Sequence, residues 1–488
     1  MRLLAAASAL TVALLTGAAT ASAADVGAND DSAKYAADGG VALYGEMTAL
    51  GLRQTVIGVR FKPSEPIVIQ DKALLDRVIP SALDAGLEVV LAVYPYPSRE
   101  LEAGLGSPSL FGSYVAAVAS IYPEVKRFVV GNEPNQTAFW RPQFAGQANA
   151  SASAFGPYLA AAYDALKAAD PNITVVGVGL SPRGNDRPDA KNNVSTSPVR
   201  FLRALGVWYR KSGRTRPLMD AFSFHPYPRR AIDPLDRGYS WPNAGFVNLD
   251  RVKQALWDAF NGTAQPTTVE GLKLHLDEMG WQVDTAGLAG YSGRENVPVT
   301  DELTQAAIYG ELIRRAACDS DIASLSFFGF RDDGARTGFQ AALERLDGSL
   351  RPAAETVRAA IAETAAGCRV PQEAWRPHAD VVGASVAVAS AGGSGVAARI
   401  GAGEDAHAVV CVRALTSRAL AGDSGSRRAA PVGSKLCRTA AVAGLRPRTV
   451  PLPKPEGAYG RAEVSVELRA ESNRARRTVV VTETALRS

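Results

Sequence analysis

Glu133 and Glu278 are the residues whose settings could do chemistry. Glu133 lies near the end of the run Phe128–Asn135 and is followed by Pro134; Glu278 lies near the end of the run Leu272–Trp281, with Gly280 close behind. Each run is apolar, of strand length, and delivers its glutamate into a turn. Two carboxylates carried on two such strand ends are what cleavage of a glycosidic bond requires, one to protonate the leaving oxygen and one to attack the anomeric carbon. In a chain with 49 acidic residues the ordinary fate of a glutamate is a solvated surface. Position at the ends of buried-looking strands sets these two apart.

The elements that must position them alternate along the chain. Strand candidates are Ala24–Gly27 (weak), Gln54–Phe61, Leu87–Tyr94, Arg127–Gly131, Ile173–Gly179, Ala221–His225, Leu272–Asp277 and Ala323–Phe328. Helical segments lie between and after them at Lys72–Ala85, Leu110–Ile121, Tyr158–Ala168, Val199–Lys211, Leu249–Phe260, Glu302–Ala317 and Pro352–Ala365. Asp71 and Ser197 are placed to cap two of these helices, with Pro198 suited to a first turn. Strands separated by helices imply a parallel sheet. Eight such units within residues 24–370 predict a (β/α)8 TIM barrel, a fold of about 250 residues plus insertions. A doubly wound open sheet is the competing topology, but no Gly-rich phosphate fingerprint follows any strand.

The loops are unequal. Those at Glu133–Gly156, Pro226–Asn248 and Met279–Thr300 are long and carry Trp140, Trp241, Trp281, Tyr239 and Tyr291. Barrel active sites are built from the loops at the carboxyl ends of the strands, so these aromatic loops suggest a sugar-binding cleft. Local packing is the competing use of each ring.

The segment Gly131, Asn132, Glu133, Pro134, Asn135 resembles the acid/base motif of clan A glycoside hydrolases. Asp277, Glu278, Met279, Gly280, Trp281 resembles their nucleophile segment, as in cellulase-like and family 39-like retaining β-glycosidases. Arg60 at the end of the second strand, and Phe224, His225, Pro226, Tyr227 at the end of the sixth, are similar to flanking features of the same group. The resemblance covers roughly Ala24–Cys368. It implies that Glu133 is the general acid and later base and Glu278 the nucleophile. The nucleophile needs donors that keep it ionised, which Arg60 and Tyr227 are expected to supply, and Asn132 is expected to hold the sugar 2-hydroxyl. The tryptophan expected after the eighth strand is absent, the chain reading Ser326, Phe327, Phe328, Gly329, Phe330, Arg331. Arg60, Asn132, His225, Tyr227, Trp281, Trp140 and Phe330 form the candidate substrate-binding set.

Other chemistry has weaker support. Strand alternation turns Asp277 away from Glu278, toward a helix-capping or packing role. His225 reads as a hydrogen-bonding wall of the site and His275 as structural. With His378 and His407 these are all the histidines, and neither they nor the cysteines form a zinc pattern, so no metal or cofactor is expected. Sequons at Asn135, Asn149, Asn172, Asn193 and Asn261 read as chance matches, since a glycan on Asn135 would fill the catalytic mouth.

Residues 1–23 have a leader's order: Arg2, an apolar stretch from Leu3 to Leu15, then small residues ending in Ala23. The stretch is shorter than the roughly 20 residues needed to span a bilayer. Composition, 47% hydrophobic and 21% charged, is that of a soluble globular protein. An exported chain keeps disulfides, and cysteine positions favour Cys318 with Cys368 and Cys411 with Cys437. Residues 371–488 change character. From Arg376 onward there are 17 Lys/Arg against 9 Asp/Glu, short alternating runs and one aromatic residue, Tyr459. These features predict a small all-β, sandwich-like accessory domain packed against the barrel, with a mobile loop at Ser417–Ser434. The chain is thus expected to be a secreted, monomeric glycoside hydrolase acting on a carbohydrate, without nucleic-acid partner or membrane span. A non-catalytic carbohydrate-binding or adhesion protein on the same scaffold is the alternative.

Overall fold

A computed structural model describes residues 24–368 and 370–377 and, beyond them, 385–391, 395–402, 405–417, 429–444, 448–453, 461–470 and 474–482. The leader expected at 1–23, His378 and Tyr459 lie outside these residues.

Eight parallel strands close a barrel: β1 (Asp25–Asn29), β2 (Gln54–Phe61), β3 (Glu88–Pro95), β4 (Arg127–Val130), β5 (Thr174–Leu180), β6 (Ala221–Phe224), β7 (Lys273–Met279) and β8 (Ile322–Phe328). The strands are buried almost throughout, because helices cover the outside and side chains fill the inside. Those helices are α1 (Val41–Ala49), α2 (Lys72–Asp84), α3 (Pro108–Ile121), α4 (Ser151–Ala169), α5 (Pro198–Ser212), α6 (Leu249–Phe260), α7 (Glu302–Cys318) and α8 (Pro352–Thr364). In α6 the buried Leu249, Val252, Leu256 and Phe260 recur at helical spacing.

β1 is the weak strand of the sequence, yet it closes the barrel by pairing with both β8 and β2. Its Gly27 is obligatory for packing: a Cβ there would sit 2.3 Å from the Gln54 carbonyl oxygen. Inside the barrel, Val56, Val90, Ala92, Val129, Val176 and Ala221 form an inner cluster. Toward its base Arg127 donates to Gln54 (2.9 Å) and Gln54 to Ser326 (2.8 Å). His275 meets Ser324 at 2.7 Å, and burial pulls its pKa down to about 3, so it is a neutral structural group.

Three expectations about helices need correction. α4 begins at Ser151, not Tyr158, and Pro157 lies within it. Burial of Ala152 and Phe155 and a cap from Asn149 to the Ala152 N–H (2.8 Å) extend it backward. Asp71 and Ser197 precede their helices, but neither side chain makes a capping bond. Ser107 and Asp301 do, to Leu110 and Thr304.

The C-terminal segment is antiparallel. β9 (Ser385–Ala391), β10 (Gly395–Gly401) and β13 (Arg448–Pro451) form one sheet. β12 (Ala429–Val442), β11 (Ala406–Ser417), β14 (Arg461–Ala470) and β15 (Arg474–Thr482) form the other. Ala408, Val410 and Val412 of one sheet join Ala398, Ile400 and Val450 of the other in a single buried cluster, the arrangement of a sandwich. β12 begins at Ala429, so the loop expected to reach Ser434 gives way to strand there; residues 418–428 lie outside those described. Cys318 is bonded to Cys368, and Cys411 to Cys437, its direct partner across β11 and β12.

Candidate active site

Glu133 and Glu278 meet at the carboxyl ends of β4 and β7. β4 leads into Gly131, whose φ of 110° and whose close neighbour, the Val178 carbonyl 2.6 Å from where a Cβ would lie, together require glycine. Glu133 itself has φ of 40°, a left-handed conformation that costs a non-glycine residue free energy. It is held there by its N–H donating to the Gly179 carbonyl (2.7 Å) and its carbonyl accepting from Gln136 (2.8 Å). Asn135 completes the brace. Fully buried, it accepts from the Ser181 N–H (3.0 Å) and donates to the carbonyls of Ser181 (3.1 Å) and Thr196 (2.9 Å). A side chain so engaged is closed to glycosylation.

On β7 the alternation expected of Asp277 and Glu278 breaks. Leu276 pairs with Leu325 and Met279 with Phe327, so β7 carries one extra residue over this interval. Such a bulge turns neighbouring side chains to the same side. Asp277 is therefore neither a helix cap nor outer packing. It accepts from Ser223 (2.5 Å) and lies 3.6 Å from His225 Nε2, directly under the site.

His225 is the centre of the cluster. Its Nδ1 lies 3.2 Å from Glu133 Oε1 and 3.4 Å from Glu278 Oε2. Burial alone would lower its pKa; the carboxylates of Glu278, Glu133 and Asp277 outweigh that and raise it to about 9. Glu278 accepts from the Tyr227 hydroxyl (3.2 Å) and from Asn29 Nδ2 (3.3 Å). Burial pushes Glu278 up to about 7, with Glu133 and Asp277 adding to the shift and His225 and Tyr227 opposing it. The donor atoms of Glu133, His225 and Glu278 all lie within 4.8 Å of one another, close enough for one cation to touch all three. Ligation would need a neutral imidazole, which the surrounding acids disfavour.

The wider candidate set divides. Arg60, Asn132 and Tyr227 line the cleft above the pair. Arg60 is not a donor to Glu278: it is turned over the Tyr96 ring, 5.5 Å from its centroid, and Asn29 takes the donor's place. Trp140, Trp281 and Phe330 are buried and do not reach the cleft. Trp140 packs edge-on against Phe155 and Tyr158, and Trp281 against Tyr309, its indole N–H facing the Asp233 carbonyl. Trp241 is held between Arg203 and Arg251, Tyr239 is buried, and Tyr291 donates to Asp332. Trp140, Trp241, Trp281, Tyr239 and Tyr291 are thus structural, whereas Phe139 and Tyr227 of the same long loops face the cleft.

The rings that do line the cleft are Tyr94, Tyr96, Phe139, Tyr227, Phe328 and Phe339. Phe328, at the end of β8, forms an edge-to-face trio with Phe339 and Tyr227. Asn29, Tyr94 and Phe328 escaped the sequence reading although each lies at or beside the carboxyl end of a barrel strand, the position that marks site residues in this fold. Phe339, from a loop after β8, carries no comparable sequence signal.

The cleft has two lobes. The larger, about 660 Å³, includes both glutamates; the smaller, about 460 Å³, includes Glu133 but not Glu278. Glu133, Tyr227 and Phe339 border both.

No family model and no curated protein matches the chain. Solved structures of similar fold include a family 39 glycoside hydrolase from the gut symbiont Bacteroides cellulosilyticus WH2, at 14% identity and TM-score 0.47, covering 88% of this chain and 80% of that one. A monomeric beta-xylosidase from Caulobacter crescentus CB15 aligns at 15% identity and TM-score 0.45, covering 88% and 95%. The endo-beta-1,4-mannanase from Thermotoga petrophila aligns at 13% and 0.42, covering 94% and 98%. Similarity of this degree transfers no activity to this chain.

Proposed function

We propose that this chain is a secreted, retaining glycoside hydrolase that cleaves a β-glycosidic bond by double displacement. The observation that carries the reading is the approach of Glu133 and Glu278, whose nearest oxygens are within 4.8 Å across an aromatic-lined cleft. Retaining enzymes hold their carboxyl groups about 5–5.5 Å apart, whereas inverting enzymes leave about 6.5–9.5 Å for a water. The lobes fit the division of labour. A sugar attacked by Glu278 occupies the larger lobe, and the bond it shares with the next unit passes Glu133, which borders both.

In the first step the Glu278 carboxylate attacks the anomeric carbon while Glu133 gives its proton to the departing oxygen, releasing the leaving unit as an alcohol. In the second, Glu133 takes a proton from water, the hydroxide attacks the anomeric carbon, and the bond to Glu278 breaks. Tyr227 and Asn29 orient the nucleophile, and Asn132, which lines the cleft, takes the sugar 2-hydroxyl. The leader-like order of residues 1–23 and the two disulfides support export, and no helix among the described residues is long and apolar enough to cross a membrane.

Proton NMR of the first product released from an aryl β-glycoside tests the reading. A β-anomer is expected; an α-anomer would remove Glu278 from the nucleophile's role. Glu278→Gly should abolish turnover, and azide should restore part of it with a product of inverted configuration. A wild-type protein that binds glycans and hydrolyses none would be the non-catalytic alternative.

A further inference from the structure

The two lobes of the cleft differ in charge. Asp31 and Asp333 line the larger lobe along with both glutamates, against Arg60 and Arg331. The smaller lobe carries Arg183, Arg229 and Arg230, and among the described residues Glu133 is its lone acidic lining residue. Arg229 and Arg230 share a single buried carboxylate, Asp233, at 3.1 and 2.8 Å, and Arg237 approaches the same group at 3.9 Å. One negative charge thus serves three guanidinium groups. Glu295 is tied to the wall residue Gln282 at 3.1 Å. Arg183 is exposed; its guanidinium meets the Arg229 carbonyl at 3.5 Å, and no carboxylate ion-pairs with it among the described residues. The lobe therefore holds surplus positive charge in a concave, part-enclosed setting, where charge-assisted hydrogen bonds are strong.

We infer that this lobe recognises an acidic leaving unit: the substrate is a glycan in which a sugar is β-linked to a unit bearing an anionic group, and Arg183 reads that charge. The inference rests on the proposed roles of the glutamates, because Glu133 without Glu278 marks the leaving-group side of the bond. A guanidinium presents a planar fork of donors that matches a carboxylate or an acid ester two bonds at a time. The acidic larger lobe disfavours an anion on the other side of the bond, so the charge preference gives the substrate a direction.

The test uses the full-length protein and disaccharides that share a non-reducing sugar and differ in the leaving unit: glucose, glucuronate or glucose 6-sulfate. The acidic leaving units should raise kcat/KM at least about tenfold over glucose, the scale of one charge-assisted hydrogen bond. The preference should shrink at high salt. Whether glucuronate or the sulfate ester is preferred identifies the anion, and either supports the inference. In Arg183→Met the acidic-to-neutral ratio should fall toward one; Arg183→Lys should keep part of it. Equal kcat/KM for neutral and acidic leaving units in the wild type, or an unchanged ratio in Arg183→Met, overturns the inference. Hydrolysis of none of the disaccharides or of a broad aryl β-glycoside panel would instead overturn the reading of the glutamates. The basic lobe is then tested alone by calorimetric titration with methyl β-glucuronide and methyl β-glucoside. Preferential binding of the glucuronide, lost in Arg183→Met, supports it; no binding, equal binding of the two, or equal binding by the variant refutes it.

Discussion

At the scale of single residues the site is a cluster of carboxylates facing one imidazole. His225 stands between two carboxylates with a third beneath it, so its charge is favoured by its neighbours. The proposed nucleophile must be ionised to act, and burial raises Glu278 to about 7. The acidic limb of kcat/KM should therefore rise through about pH 7, well above the usual carboxylate range. His225 opposes that shift, so His225→Ala should move the limb to higher pH; an unmoved limb would show that the imidazole does not tune the nucleophile. Stability has the same sign for both groups. The stabilisation due to a His225 held at about 9 is complete below its ordinary value of 6.5 and is lost as pH rises through 9. Ionising Glu278 costs nothing below 4.5 and its full penalty above about 7. Calorimetry should show Tm declining from pH 5 to 9, and Glu278→Gln should flatten the part of the decline below 7.

At the scale of elements, what could be read in the sequence was what depends on period and termini. Gln54–Phe61 and Leu249–Phe260 are a strand and a helix with the expected bounds, because an uninterrupted apolar run and a 3.6-residue repeat are local signals. The positions of Glu133 and Glu278 followed from the same strand ends. What did not follow depends on contacts between distant residues. The extra residue in β7 that brings Asp277 inward is set by pairing with β8. The burial of Trp140 and Trp281 is decided by helices elsewhere in the chain, and the fold-closing role of β1 by its two neighbours. The clip made by Asn135 belongs to this class, joining the loop after β4 to that after β5. Asn135→Ala should strand a buried N–H and two carbonyls and cost about 1–3 kcal/mol. By loosening the strained turn at Glu133 it should lower kcat more than it changes KM. Urea unfolding and steady-state kinetics on one preparation separate the two effects. A stable variant with unchanged kcat would show that the strand end, not the clip, positions Glu133.

At the scale of the whole molecule, the residues assigned to chemistry all come from the barrel, and the barrel has its own tether. The bond between Cys318 and Cys368 joins the end of α7 to the segment after α8, closing a loop of 50 residues. Removing it by Cys318→Ser with Cys368→Ser should cost about 2–4 kcal/mol, chiefly by freeing the unfolded chain. The Gln372 N–H donates to the Cys318 carbonyl (2.8 Å), so contact with the barrel extends just beyond the boundary expected at residue 370. The sandwich-like segment has a separate buried cluster, made of residues from Ala398 to Leu468, and its own disulfide. From two cores, each with its own crosslink, we propose two units that fold separately. A chain ending at residue 377 should therefore be soluble, unfold cooperatively near the temperature of the barrel in the intact protein, and retain activity on a small aryl glycoside. Scanning calorimetry and kinetics on that truncated chain decide the matter. A folded but inactive fragment would mean that the C-terminal strands shape the cleft, and an unfolded one that the barrel needs them as a covering surface.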